Sequence, residues 1–186
     1  MVLNFDKTNG IWIGKDLHSY HKFDEKLCNG LYLFFEREGG KISDLGCGYG
    51  LYTEELNKLT ECIGYDGNPY TELISPGLCN VLDLSKKQKI RKTEWVLSLE
   101  VGNHIPPKYE SIFIKNLTDT ATKGIVLSWA VENQGGLGHL NKKNNNYIIE
   151  QLNLYDFKYD NYSTQLLRSN TTYKWFRQSL LVFRKQ

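Results

Sequence analysis

The chain has 186 residues, of which 40% are hydrophobic and 24% are charged, and its net charge is +2. This length can bury a core without disulfides or metals, and the composition is that of a folded protein rather than a disordered one. Lys and Arg are scattered along the sequence, so the basic patch typical of nucleic-acid-binding proteins is not predicted. We expect one domain over 1–186, with an amino-terminal cap and first helix over 1–38 and a core over 39–186.

The four cysteines lack the close paired spacing of a zinc site, so we expect reduced thiols in a cytoplasmic protein. No stretch reaches the roughly 20 apolar residues that a membrane span requires. Charge arrives as early as Asp6, which is unlike a secretory signal peptide. We therefore predict no membrane partner, and the sequence leaves the oligomeric state open.

Helical and strand patterns alternate along the chain. Apolar residues at helical spacing predict a first helix over 24–38, which ends at a glycine pair. A short strand over 41–45, a glycine-rich turn and a helix over 51–59 follow. Further strands are predicted before Asp83 and over 61–66, 94–100, 124–130, 157–159 and 179–184, and further helices over 106–122 and 144–154. This alternation predicts an α/β fold with a mostly parallel sheet covered by helices on both faces.

The glycine-rich turn over 44–50 reads Asp-Leu-Gly-Cys-Gly-Tyr-Gly. Glycine there lets a ligand approach the backbone closely, and the helix that follows presents free N–H groups. A dinucleotide fingerprint counted from Gly46 requires a small residue where this chain has Leu51. A pyrophosphate would also be repelled by Asp44, by roughly 1 kcal/mol or more in a partly dehydrated cleft. The turn therefore favours a nucleotide-like cofactor that carries positive charge.

Asp66 ends the second predicted strand, twenty residues after Gly46. An acidic side chain at this position accepts hydrogen bonds from ribose hydroxyls. Together with the turn, it resembles the class I S-adenosylmethionine-dependent methyltransferases. The resemblance implies a Rossmann-like doubly wound sheet of seven strands, mostly parallel, with the last strand antiparallel. It also implies S-adenosylmethionine as the methyl donor and S-adenosylhomocysteine as the product.

The resemblance covers most of the chain. Asp83 and Leu84 match the family position that meets the adenine amino group. Residues 98–106 look like the family segment L-E-V-x-E-H-I-P after the fourth strand, from which this chain departs at Asn103. The resemblance implies that the cofactor site consists of Asp44, Gly46, Cys47, Gly48, Gly50, Asp66, Gly67, Asp83, Leu84 and Glu100.

Two histidines are candidates for catalysis. An alcohol acceptor must lose its proton as the new bond forms, and histidine is the usual base near neutral pH. His104 and His139 follow the fourth and fifth predicted strands, at the edge where doubly wound sheets bind ligands. We predict His139 as the general base, because it lies in a long polar loop of the kind that commonly carries function. The alternatives are capping of the next helix by His139 and a structural hydrogen bond by His104.

Other side chains are candidates for acceptor binding. Tyr20 and His21 precede the first helix and resemble a segment that covers the pocket in related enzymes; surface placement is the alternative. Trp12 and Trp129 can stack on a sugar or planar acceptor, although aromatic residues more often belong to the core.

The late part of the chain contributes three further candidates. Asn141 belongs to the same loop as the predicted base. Arg168 and Trp175 lie between the last two strands, where class I enzymes often insert an acceptor-binding segment. A solvated position is the alternative for Arg168.

The segment from Ser128 to the carboxyl terminus looks like small methyltransferase domains linked to glycan modification. This resemblance implies O-methylation of a hydroxyl on a glycan or small-molecule acceptor. Metal-dependent sugar methyltransferases carry adjacent acidic ligands, and no Asp-Asp pair occurs here, so we predict no metal. The alternatives are N-methylation of a protein side chain or small amine, a non-catalytic cofactor-binding subunit, and a dinucleotide oxidoreductase. N-methyltransferases commonly carry an Asn/Asp-Pro-Pro-Tyr-like motif where this chain reads Leu-Glu-Val-Gly over 99–102.

Overall fold

The computed structural model describes residues 4–16 and 21–186. A two-stranded antiparallel hairpin precedes a seven-stranded sheet. The strands are β1 (Asn4–Asp6), β2 (Ile11–Ile13), β3 (Ile42–Leu45), β4 (Cys62–Asp66), β5 (Cys79–Val81), β6 (Thr93–Leu99), β7 (Ala121–Ser128), β8 (Phe157–Tyr159) and β9 (Leu180–Lys185). The helices are α1 (Glu25–Glu38), α2 (Leu51–Asn57), α3 (Thr71–Ile74), α4 (Glu110–Thr120), α5 (Asn145–Asn153), α6 (Asn161–Ser169) and α7 (Lys174–Ser179), with a 3₁₀ turn (Pro107–Tyr109) before α4.

The strand order of the large sheet is β5-β4-β3-β6-β7-β9-β8. The first five strands of this order are parallel, and β9 is antiparallel to both of its neighbours. The predicted seven-stranded, mostly parallel sheet with an antiparallel last strand is therefore confirmed. Strand order reverses between β3 and β6, and α/β sheets bind ligands at the carboxyl ends of the strands at such a point.

Helices cover both faces of the sheet. Successive side chains of a strand point to opposite faces, so Trp95 and Val96 of β6 belong to two different apolar clusters. Trp95 packs with Leu31 of α1, while Val96 packs with Phe113 of α4. The central strands β6, β7 and β9 consequently bury apolar side chains on both faces.

Several element boundaries differ from the predicted ones. The helix predicted over 106–122 begins with the 3₁₀ turn and ends at Thr120, and the following strand already starts at Ala121. The Thr120 hydroxyl bonds the Asn116 carbonyl at 2.7 Å, and the β-branched residues around it favour a strand over a continued helix. The hairpin, α3, α6 and α7 were not predicted. The hairpin, α3 and α7 are too short to show a clear periodicity, and the buried side of α6 includes the polar residues Ser163 and Thr164.

Within the described ranges, no helix is long and apolar enough to cross a membrane.

Candidate functional site

A cavity of about 440 Å³ lies where the strand order reverses. Its volume falls in the range of roughly 300–1,000 Å³ that is typical of small-molecule sites. The walls come from the β1–β2 hairpin, the glycine turn, the carboxyl ends of β4 and β6, the loop over 131–139, and α7. Most of the residues that the sequence assigned to a cofactor meet in this one space.

The glycine turn forms one wall of the cavity. Gly46 and Cys47 line it, and Gly46 has a φ of +90°, a left-handed conformation that favours glycine. A Cβ on Gly46 would lie 2.2 Å from Val101 Cγ2, and one on Gly48 would lie 2.1 Å from His21 Nδ1. Gly48 and Gly50 are not part of the lining, and instead they let the turn fold tightly behind it.

Asp44 is the next-to-last residue of β3 and lines the cavity, although it is only 3% exposed. Its Oδ2 accepts a hydrogen bond from the Thr53 hydroxyl at 2.9 Å. Burial raises the pKa of Asp44 to about 7, the Thr53 bond opposes this change, and nearby Asp66 adds to it. The site therefore contains a carboxyl group that gains its charge near neutral pH.

Asp66 ends β4 and holds the turn in place. Its Oδ2 accepts the Gly48 N–H at 2.9 Å, and its Oδ1 accepts the Asn68 N–H at 2.9 Å. Burial raises the pKa of Asp66, while these backbone bonds and the nearby His21 oppose the change. Gly67 also lines the cavity. A larger residue would not fit there, because Ile11 of the hairpin occupies the space that its side chain would need.

Asp83 and Leu84 line the cavity after β5. The Asp83 Oδ1 accepts the Ser85 N–H at 2.9 Å and the Ser85 hydroxyl at 2.6 Å, and its Oδ2 pairs with Lys86 at 3.0 Å. Leu84 is 4% exposed and belongs to the core on the α4 side of the sheet. The two residues that the resemblance assigned to adenine thus line the same cavity as Asp66.

Glu100 follows β6 in a strained backbone conformation with a φ of +57°. Such a conformation in a non-glycine residue costs on the order of 1–3 kcal/mol and persists only when neighbours enforce it. Here Oε1 accepts the Ser179 hydroxyl at 2.9 Å, and Oε2 accepts the Gln134 amide at 2.5 Å. Burial raises the pKa of Glu100. Glu100 lines the cavity and connects α7 to the loop over 131–139.

His104 and His139 both line the cavity, with ring centroids 5.3 Å apart. The His104 Nδ1 lies 2.9 Å from the Gly138 carbonyl oxygen. A carbonyl can only accept, so Nδ1 carries the proton and Nε2 has the lone pair. Burial lowers the pKa of His104 to about 4 and also lowers that of His139. Both rings are therefore neutral at pH 7.

His139 lies in a different environment from His104. Its Nδ1 is buried and has no hydrogen-bond partner among the described residues, while a hydrogen bond with the backbone of Gln134 opposes the lowering of its pKa by burial. Its ring packs against Gly136, where a Cβ would lie 2.4 Å from Cε1, so the loop needs glycine there to hold the ring. The structure thus brings the two predicted catalytic residues into one site.

The β1–β2 hairpin covers this end of the cavity and was missed in the sequence. A Cβ on Gly10 would lie 2.2 Å from the His104 carbonyl oxygen, so the hairpin turn touches the backbone there. Trp12 lines the cavity and meets the His104 ring edge-on at 5.7 Å. His21 also lines the cavity and meets Tyr49 edge-on at 5.6 Å. Tyr20, the other predicted residue of this segment, lies outside the described residues.

Three predicted acceptor contacts require correction. Trp129 is 1% exposed, packs against Phe113 and donates its Nε1–H to the Asn141 carbonyl at 2.5 Å. Asn141 is 4% exposed, and its amide bonds Glu110 Oε2 at 2.8 Å. Arg168 bonds the carbonyl of Leu180 at 2.8 Å and a second carbonyl at the end of α7. None of the three predicted residues lines the cavity, because each is used to hold the fold together.

An aromatic wall lies on the α7 side of the cavity. Trp175 lines it as a residue of the predicted insertion, and its ring is stacked on Tyr173 at 4.3 Å. Phe23, Tyr52 and Phe176 complete this wall and were missed. The sequence carries no signal for them, because three separate segments bring them together.

Among the residues that the structure describes, no group of three or more His, Cys, Asp or Glu side chains could hold a metal ion. The metal-free reaction stays a prediction.

No family model and no curated protein sequence matches the chain. Solved structures do match. The sugar N-methyltransferase KedS8 from Streptoalloteichus has a TM-score of 0.67 at 9% identity, covering 87% of each chain. Magnesium protoporphyrin IX methyltransferase from Synechocystis, with bound S-adenosylhomocysteine, has a TM-score of 0.63 at 17% identity, covering 86% of this chain and 82% of that one. A TehB-like methyltransferase from Corynebacterium glutamicum has a TM-score of 0.61 at 17% identity, covering 84% and 88%.

The chain has the class I methyltransferase fold. In this methyltransferase fold the cavity lies at the carboxyl edge of the central strands, next to the glycine turn. The resemblance inferred from the turn and from Asp66 is confirmed at the level of the fold.

Proposed function

We propose that this protein is an S-adenosylmethionine-dependent methyltransferase that methylates a hydroxyl group without a metal and uses His139 as the general base. The observation that carries the proposal is the arrangement of the cavity. Acidic side chains line the part formed by β3, β4 and β5, and two neutral histidines line the part next to β6. One cavity would therefore hold a cationic methyl donor next to a base for the acceptor.

The residues of the cavity fit the cofactor by their chemistry. Asp66 would hold the ribose hydroxyls, and Asp83 with Leu84 would meet the adenine. Asp44 and Glu100 would face the cationic methionine end, where carboxylates are favourable and a pyrophosphate is not. The bound cofactor supplies a methyl group already activated on a sulfonium, so the protein chiefly orients donor and acceptor.

His139 suits the role of base better than His104. A general base works best when its pKa lies near the working pH. The pKa of His104 is lowered to about 4, and its Nδ1–H is engaged by Gly138. We therefore assign His104 a positioning role, in which it fixes the loop that carries His139. Because burial lowers the pKa of His139, the ring is in its proton-accepting form at neutral pH.

Cofactor affinity is expected to depend on the charge of Asp44. Its pKa is about 7 in the free protein, and the cationic amino group of the cofactor favours the ionised form. Binding should therefore release a proton below pH 7 and tighten by up to about tenfold per pH unit as the pH rises toward 7, then level off.

Calorimetry with S-adenosylhomocysteine, from about pH 5.5 to about pH 8, measures this dependence. Asp66 also has a raised pKa, so the Asp44→Asn variant separates the two groups. That variant should bind more weakly and lose most of the pH dependence. An unchanged pH dependence in Asp44→Asn would remove Asp44 from the cofactor site.

For the acceptor, we propose a sugar or glycan hydroxyl. Sugar rings have apolar faces that stack on aromatic side chains, and the cavity offers Trp12 and Trp175. The similarity of the late segments to glycan-modifying methyltransferase domains supports the same choice. KedS8 is by name a sugar N-methyltransferase. The specific alternative to a sugar hydroxyl is therefore the amino group of an amino sugar.

A screen with isotopically labelled cofactor tests the proposal. Glycans, amino sugars, small phenols and peptides serve as acceptors, each with and without a chelator. We expect label on an oxygen of a carbohydrate, with equal rates in both conditions. Label on nitrogen would replace O-methylation by N-methylation, and loss of activity with chelator would overturn the metal-free mechanism. Binding of cofactor without transfer to any acceptor would favour a non-catalytic subunit.

A further inference from the structure

Two cysteines face the same strand residue behind the glycine turn. Cys47 belongs to the turn, and its N–H donates to the Tyr65 carbonyl at 3.1 Å. Cys79 begins β5, and its Cα is paired with that of Gly64 in β4. A Cβ built on Gly64 would lie 2.8 Å from Cys47 Sγ and 2.5 Å from Cys79 Sγ. Because Gly64 has no side chain, the two sulfur atoms approach each other over the strand.

The surroundings make the two thiols chemically unequal. A hydrogen bond from the Cys47 thiol lowers the pKa of Cys79. The same bond and burial raise the pKa of Cys47. The thiolate is the reactive form of cysteine, and the lowered pKa of Cys79 favours that form next to the Cys47 thiol.

We infer that Cys47 and Cys79 form an oxidation site, at which a peroxide joins the two sulfur atoms in a reversible disulfide. One thiolate attacks the peroxide and becomes a sulfenic acid, and the other sulfur then displaces water from it. Both S–H bonds are lost and one S–S bond forms. The O–O bond is reduced, so hydrogen peroxide leaves as two molecules of water.

The cavity gives the oxidant its path to the pair. Cys47 lines the cavity, whereas Cys79 is only 3% exposed and lies behind it. The other two cysteines differ from Cys47 because they do not line the cavity, and from Cys79 because their pKa values are raised. Cys28 and Cys62 are 4% and 2% exposed, they do not line the cavity, and burial raises the pKa of each, that of Cys28 to about 12. They serve as internal controls.

The disulfide would also change the glycine turn. A disulfide requires its two Cα atoms to lie about 4.4–6.8 Å apart and fixes the torsion around the bond. Cys47 would therefore be tied to β5, and the adjacent Gly48 N–H, which donates to Asp66 at 2.9 Å, would shift with it. If the proposed cofactor site is correct, oxidation should abolish binding of S-adenosylhomocysteine, and dithiothreitol should restore it.

The test uses the full chain treated with hydrogen peroxide. Free thiols are then alkylated, and the peptides are mapped by mass spectrometry. We expect a Cys47–Cys79 disulfide that dithiothreitol removes, with Cys28 and Cys62 alkylated throughout. The Cys47→Ser and Cys79→Ser variants should each lose the disulfide, and circular dichroism checks that they are folded.

The wild-type map alone decides the inference if a variant does not fold. Alkylation of Cys47 and Cys79 after peroxide treatment of the folded protein would overturn it. So would equal oxidation of all four cysteines, or a disulfide formed only between two chains. A disulfide that forms in a protein unable to bind S-adenosylhomocysteine would sustain this inference and contradict the proposed function, so the two failures are distinguishable.

Discussion

The Asp66→Ala variant is expected to bind S-adenosylhomocysteine at least about a hundredfold more weakly than the wild type. The carboxylate of Asp66 would accept both ribose hydroxyls, and it already fixes the turn through the N–H groups of Gly48 and Asn68. Charge-assisted hydrogen bonds are worth about 1.5–3 kcal/mol each, so the loss of two accounts for the expected change. Calorimetric titration of both proteins measures it.

Asp119→Ala is the matched control for this variant. Asp119 lies on α4, its side chain is 55% exposed, and it forms a surface ion pair with Lys115 at 2.9 Å. Its removal should leave cofactor binding unchanged. If Asp66→Ala remains folded and binds as tightly as Asp119→Ala, the cofactor does not use the end of β4.

The His139→Ala variant is expected to lose at least about a hundredfold in kcat while its affinity for S-adenosylhomocysteine stays nearly unchanged. The methyl donor needs no base, whereas the acceptor hydroxyl must give up its proton during transfer. Burial lowers the pKa of His139, so the wild-type kcat/KM should rise with pH and reach its midpoint below the ordinary histidine pKa of about 6.5. Activity against the acceptor found in the screen measures both quantities.

His104→Asn provides the comparison for this second prediction. An asparagine amide can still donate to the Gly138 carbonyl that His104 Nδ1 now bonds at 2.9 Å. This variant should retain much of its activity if His104 only positions the loop. If His104→Asn is inactive and His139→Ala is active, His104 is the general base and His139 is the positioning residue.

The sequence predicted the fold, and it placed the proposed cofactor residues at one edge of the sheet, because both depend on local pattern. The turn over 44–50 is a contiguous motif, and Asp66 and Asp83 each end or follow a short strand. All of these reach one edge because parallel strands bring their carboxyl ends together. The order of residues along the chain was therefore enough to place them in one site.

The acceptor side was predicted less well, because it depends on contacts between distant segments. Trp129 follows β7, and its aromatic side chain is of a kind that can stack on a ligand. In the structure it is instead packed against Phe113 of α4 and bonded to the carbonyl of Asn141. Trp12 reaches the cavity through a hairpin whose turn touches the backbone of His104. The periodicity of the sequence does not predict that contact.

The cysteines illustrate the same difference between local and distant contacts. Their spacing carries no zinc motif, and all four are free cysteines in the structure. The approach of Cys47 to Cys79 depends on sheet register and on the missing side chain of Gly64. A glycine inside the strand was the available signal, since such a residue often marks a close approach of other groups.

The most direct test of this account is a calorimetric titration of the unmodified protein with S-adenosylhomocysteine and, separately, with NAD. The acidic lining by Asp44, Asp66 and Glu100 and the Leu51 that follows the turn predict saturable binding of S-adenosylhomocysteine and no binding of NAD. Binding of NAD, or of neither compound, would contradict the proposed methyltransferase function.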